Sequence, residues 1–79
     1  MDQRLRAEAL QLDRQLGNRL KRAREAANVT QSALASAIGL TFQQIQKYER
    51  ATNRVSCSTL ILIARALGCR ASVLLGEKD

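Results

Sequence analysis

The residues in this chain best suited to contacting another molecule stand close together: Gln43, Gln44, Gln46, Lys47 and Arg50. Carboxamides donate and accept hydrogen bonds at once and cations bind phosphate, so a row of both can meet base edges and backbone phosphates. They share a face only if residues 41–50 are helical. Ile45 and Tyr48 supply an inward side at helical spacing, and Thr41 is a residue type that caps a helix start. Upstream, Leu34, Ala35 and Ile38 describe a second amphipathic helix over residues 31–38, with Thr30 as its N-cap. Gly39 between the two can take the positive φ that a helix end requires.

Composition narrows the chemistry further. The chain has no His and only two Cys, which removes the usual metal sites and nucleophile–base pairs, so no catalytic residue, metal or cofactor is expected. Cys57 and Cys69 flank a predicted helix and would sit roughly 18 Å apart, beyond disulfide reach, as free thiols in a reducing compartment. No apolar run approaches a membrane span and no secretory pattern opens the chain, so a cytoplasmic protein is expected. The net charge of +6 points to an anionic partner, nucleic acid ahead of a membrane surface. Five cations and no acid fall between Arg14 and Arg24, and Glu49 is the only acid between Ala26 and Gly76.

Seventy-nine residues make one domain, with a core so small that pairing with a second copy would help it. The pattern reads as an all-α, compact bundle of about five helices. It divides into an N-terminal extension (1–12), a folded domain (13–76) and a polar tail (77–79). Asp13 is a fair cap for a first helix over residues 14–27 that faces Leu16, Leu20, Ala23 and Ala27 inward, with Asn28 as its terminator. Residues 1–16 lack Gly and Pro and are rich in helix formers, so some helix is expected there too. Pattern alone leaves open whether residues 1–12 continue the first helix or form a separate arm. After a loop over residues 51–55, Ser56 or Ser58 can cap a fourth helix ending at Gly68, with Leu60, Ile63, Ala64 and Leu67 inward. Ile61 and Leu62 carry the apolar surface around that helix and need a second surface to cover them. A short helix over residues 71–75 completes the chain, where Val73, Leu74 and Leu75 can cover the core or a partner.

The two helices and turn of residues 30–50 resemble the helix-turn-helix of the phage-repressor and Cro-like family of regulators, also called the XRE family. Gln31, Ala35 and Gly39 stand where that pattern has them, as do Leu34, Ile38, Leu40, Ile45 and Tyr48. Arg24, Glu49, Asn53, Arg54 and the stretch LILIARALGC extend the likeness over residues 17–75. One departure is Ala51, where the family commonly has Gly; a left-handed helix end there costs an L-residue roughly 1 kcal/mol or more.

The resemblance implies a sequence-specific double-stranded DNA-binding regulator, a repressor acting by occupancy, in the cytoplasm of a bacterium or encoded by a phage. It implies Phe42, Gln43, Gln44, Gln46 and Lys47 as base contacts, with Phe42 either touching a thymine methyl or packing inward. It implies Gln31, Thr41, Arg50, Asn53 and Arg54 as phosphate contacts. Arg24 would pair with Glu49 to tie the first helix to the recognition helix, or else contact a phosphate. A homodimer through Ile61 and Leu62 would place two recognition helices on a palindromic site, unless the N-terminal segment folds back over those residues within one monomer. The alternative is an antitoxin or adaptor that also binds DNA and holds another protein through residues 1–12 or the apolar fourth helix. A membrane-surface role leaves residues 31–50 without purpose.

Overall fold

The computed structural model describes residues 1–77; the last two positions of the tail lie outside the described residues. Five helices follow one another: α1 (Gln3–Ala26), α2 (Gln31–Ile38), α3 (Phe42–Glu49), α4 (Cys57–Leu67) and α5 (Ala71–Leu75). Among the described residues there is no strand.

The first helix differs from the expectation. It starts at Gln3, where the Asp2 carboxylate accepts from the Leu5 amide at 2.9 Å. Asp13 is therefore a helix-interior residue rather than a cap, and it accepts from Arg54 Nε at 3.1 Å. With no Gly or Pro before Gly17, nothing interrupts the helix once its C-terminal half is fixed by packing. At 24 residues α1 is about 36 Å long, nearly the full 38 Å of the molecule's longest dimension. Its N-terminal half continues as a rod with Leu5, Leu10 and Leu12 exposed, and Ile61 and Leu62 remain 44% and 46% exposed. The fold-back of residues 1–12 over the fourth helix does not occur, because the helix carries them onward in a straight line.

The short helices begin and end where local chemistry dictates. Thr30, Thr41 and Ser56 each accept a backbone amide of the first turn of α2, α3 and α4. Arg70 precedes α5 without a side-chain cap, so Ser72 lies inside that helix rather than ahead of it. Left-handed residues close all five helices: Asn28, Gly39, Ala51, Gly68 and Gly76. Ala51 adopts φ 60° despite its Cβ, with Ala51 N–H on Tyr48 O at 3.2 Å and Thr52 N–H on Lys47 O at 2.9 Å. The loop after α3 therefore keeps the closed helix end that a glycine would give.

Leu20, Leu34, Ala35, Ile45, Leu60, Ile63, Ala64 and Leu74 form the core, drawn from every helix. Leu16, Ala23, Tyr48 and Leu67 pack against it, while Ala27, expected inward, is exposed as the α1 cap. Val73 and Leu75 point outward and only Leu74 of that trio is buried. Arg19 of α1 donates through Nε to Leu74 O at 2.8 Å, which fastens α5 to α1.

Candidate nucleic-acid interface

The exposed face of α3 is fixed from behind by an ionic knot. Arg24 of α1 meets Glu49 at the end of α3 through Nε–Oε2 at 2.6 Å and Nη2–Oε1 at 3.1 Å, a two-pronged pair that is 11% and 3% exposed. Arg24 Nη1 also donates to Val29 O at 2.9 Å. These bonds to Glu49 hold the guanidinium above its ordinary pKa, outweighing the desolvation that burial imposes. Arg24 thus faces inward, and the expectation that it contacts phosphate gives way, since its donors are already committed to Glu49 and Val29. Gln31 joins the same knot, its carboxamide donating to Glu49 Oε1 at 3.0 Å.

A glycine that the sequence reading passed over makes this approach possible. A Cβ on Gly17 would lie 2.6 Å from Glu49 O and 2.8 Å from Tyr48 O, so α1 rests its backbone directly on the end of α3. The signal available was a lone Gly inside a helical pattern, which often marks a close approach.

Along α3, Phe42, Gln43, Lys47 and Arg50 are exposed and Ile45 is fully buried. Phe42 is 43% exposed, which closes the inward alternative for that ring. At 3.6 residues per turn Gln43 stands near the middle of the exposed arc, with Gln44 at one edge and Gln46 towards the other. Gln44 is half-buried and belongs to a capping box: its Oε1 accepts from Thr41 N–H at 2.9 Å and from the Thr41 hydroxyl at 3.3 Å, while its own amide donates to Thr41 Oγ1 at 3.2 Å. A carboxamide pairs bidentately with adenine only by accepting and donating together, so Gln44 is left with its N–H donors for that purpose. The Gln43 side chain makes no such commitment among the described residues.

Gln46 and Arg50 turn from this face into a cleft of about 450 Å³ whose far wall is α1, with Arg14, Asn18 and Lys21, and whose floor holds Gln31 and Glu49. The sequence reading marked Arg14 and Lys21 only as part of a basic run; their shared spacing with Asn18 at positions i, i+4 and i+7 was the overlooked signal. On the loop beyond α3, Asn53 and Arg54 are exposed, and the Arg54 side chain, 73% exposed, makes only the surface pair with Asp13. Such a pair contributes little and leaves Arg54 able to exchange its partner. Cys57 and Cys69 are both free thiols. No helix among the described residues is long and apolar enough to cross a membrane.

The order of these helices, with α2 and α3 meeting at Gly39, is matched by a helix-turn-helix family model over residues 20–74. The chain belongs to the XRE-type helix-turn-helix family. It is 47% identical over 62 residues to an HTH-type transcriptional regulator of Sinorhizobium fredii, covering 78% of this chain and 43% of that protein. A transcriptional regulator in the ATPase CF(0) region of Rhodospirillum rubrum is 50% identical over 56 residues, covering 71% and 52%. An HTH-type transcriptional regulator of Rickettsia conorii is 43% identical over 56 residues, covering 71% and 45%. The chain spans about half the length of these curated relatives. The family is one of DNA-binding transcriptional regulators rather than a class of enzymes.

Proposed function

We propose that this chain is a sequence-specific double-stranded DNA-binding module of a transcriptional regulator, acting as a repressor that occupies its site. The observation that carries the reading is the exposed face of α3, where Gln43 and Lys47 stand uncovered on a helix held rigidly by the Arg24–Glu49 pair. With α3 in the major groove, Gln43 can pair bidentately with adenine N6 and N7, and Lys47 can reach guanine O6 and N7. Phe42 offers an apolar contact to a thymine methyl, and Gln44 and Gln46 flank the reading face as donors. Gln31, Thr41, Arg50, Asn53 and Arg54 are the phosphate contacts of this reading, which position the helix without specifying sequence.

A homodimer through Ile61 and Leu62 fits the exposure of both side chains on α4. Two-fold symmetry would then set the recognition helices in successive major grooves about 34 Å apart, on a palindromic site in bacterial cytoplasmic DNA. Selection of bound sequences from a random duplex pool tests this: a two-fold symmetric consensus is the expected result, and a pool without enrichment defeats the reading. A second reading, an antitoxin- or adaptor-type module with a protein partner on residues 1–12, draws on the exposed Leu5, Leu10 and Leu12. Sedimentation of the isolated chain separates the two, since a clean dimer favours the plain regulator and a monomer with a sticky apolar surface favours an absent partner.

A further inference from the structure

The cleft between α1 and α3 is lined by three cations, Arg14, Lys21 and Arg50, for which no ion-pair partner occurs among the described residues. The single carboxylate on its floor, Glu49, is already neutralised by Arg24 behind it and further satisfied by Gln31. Like charges gathered around one opening repel one another unless an anion sits between them. The chain's two aromatic rings, Phe42 and Tyr48, do not line the cleft, so it offers an anion its cations but a nucleotide base no aromatic stacking surface. Arg50 lies next to the reading face of α3, so whatever fills the cleft borders the groove that α3 would enter. Two of the cleft residues, Arg14 and Asn18, fall outside the matched segment of residues 20–74. Both stand on α1, across the cleft from Gln46 and Arg50 of the α3 side.

We propose that this cleft holds a phosphate of the DNA backbone beside the bases read by α3, with Arg14, Lys21 and Arg50 as its cations and Asn18 as a hydrogen-bond donor. The inference rests on the DNA-binding reading above. It adds to that reading a grip by α1, which widens the footprint beyond the two-helix motif.

The test is the salt dependence of duplex binding by the wild-type chain, Arg14→Ala, Lys21→Ala and the double variant, with Arg6→Ala on the outer half of α1 as a control for net charge. The double variant should lose the grip on that one phosphate and lower the slope of log K against log salt by about 0.9, so the loss of affinity on a fourfold rise in salt shrinks by about 3.5-fold, and each single substitution should lower the slope by less. Base preference from the random pool should be unchanged in all three cleft variants, and thermal melting should confirm that each is folded. A double variant with the wild-type slope overturns the cleft alone, as does an Arg6→Ala slope reduced equally. If the wild type shows no salt-linked duplex binding, the DNA reading fails and takes this proposal with it. Calorimetry with inorganic pyrophosphate at fixed ionic strength separates the source: saturable binding that the double variant loses while its duplex slope stays wild-type assigns the cleft to a free phosphate and overturns the duplex assignment.

Discussion

Gly17→Ala tests whether the contact of α1 with α3 controls the fold, because two effects of opposite sign compete at that position. In an open helix the change would stabilise, since Ala exceeds Gly as a helix former by roughly 0.5–1 kcal/mol. Here the new Cβ would lie 2.6 Å from Glu49 O, 2.8 Å from Tyr48 O and 3.1 Å from the Glu49 carbonyl carbon. Close C–H···O contacts have carbon and oxygen about 3.3 Å or more apart, so relieving the shortest contact requires the helices to separate by about 0.7 Å. The obstacles are backbone atoms and cannot rotate away. Overpacking of this kind costs about 1–3 kcal/mol, which exceeds the propensity gain and leaves a net loss of about 1–2 kcal/mol. The separation also stretches the Arg24–Glu49 pair, whose shorter bond is 2.6 Å. For a domain of this size the loss corresponds to a fall in Tm on the order of 5–15 °C. Thermal unfolding followed by far-ultraviolet circular dichroism, at one fixed protein concentration, measures it. A Tm equal to or above that of the wild type would show that the two backbones yield freely, and the argument for Gly17 as the seat of α3 would be wrong.

Five further substitutions have expected outcomes. Ala51→Gly should raise Tm by a few degrees, because relief of a left-handed conformation worth about 1–2 kcal/mol outweighs the roughly 0.4–1 kcal/mol gained by the unfolded chain; a lower Tm would refute the strain at φ 60°. Arg24→Met strands Glu49 in a nearly buried position and should cost about 3–5 kcal/mol by denaturant titration, whereas a loss below about 1 kcal/mol would mean that the pair only decorates the fold. Gln43→Ala should cost about 1–3 kcal/mol on the preferred duplex and far less on random duplex, while Gln44→Glu should retain the capping box and Tm yet weaken binding to both by turning donors into a negative charge; equal losses on the two duplexes for Gln43→Ala would remove it as a reader. Leu62→Glu should yield a folded monomer by sedimentation at micromolar concentration, and a variant still dimeric with unchanged helical signal would shift the seam to residues 1–12.

Local chemistry alone set α2, α3 and α4. Thr30, Thr41 and Ser56 satisfy their own first-turn amides, Gly39 and Gly68 accept the left-handed conformation without a Cβ, and Leu34, Ile45, Leu60 and Ile63 declare their inward faces by periodicity. None of these needs knowledge of what lies across the core, which is why the motif and its reading face were legible in the sequence. The start of α1 was not, since Asp2 and Asp13 are equally good caps in isolation and only the packing of Leu16, Leu20 and Ala23 fixes the helix from which residues 3–15 propagate. The division of labour between Gln43 and Gln44 was overlooked rather than hidden, because Thr41 and Gln44 stand at the Thr-x-x-Gln spacing of a capping box in the sequence itself. Ala51 takes a left-handed conformation against its own preference, a bias of about 1 kcal/mol that the hydrogen bonds closing α3 override. What only the tertiary structure decided is therefore what joins distant parts of the chain. The Gly17 backbone on the carbonyls of residues 48 and 49, and Arg14, Asn18 and Lys21 facing Gln46 and Arg50, arise from the angle at which α1 crosses α3, and no local preference encodes an angle between two helices.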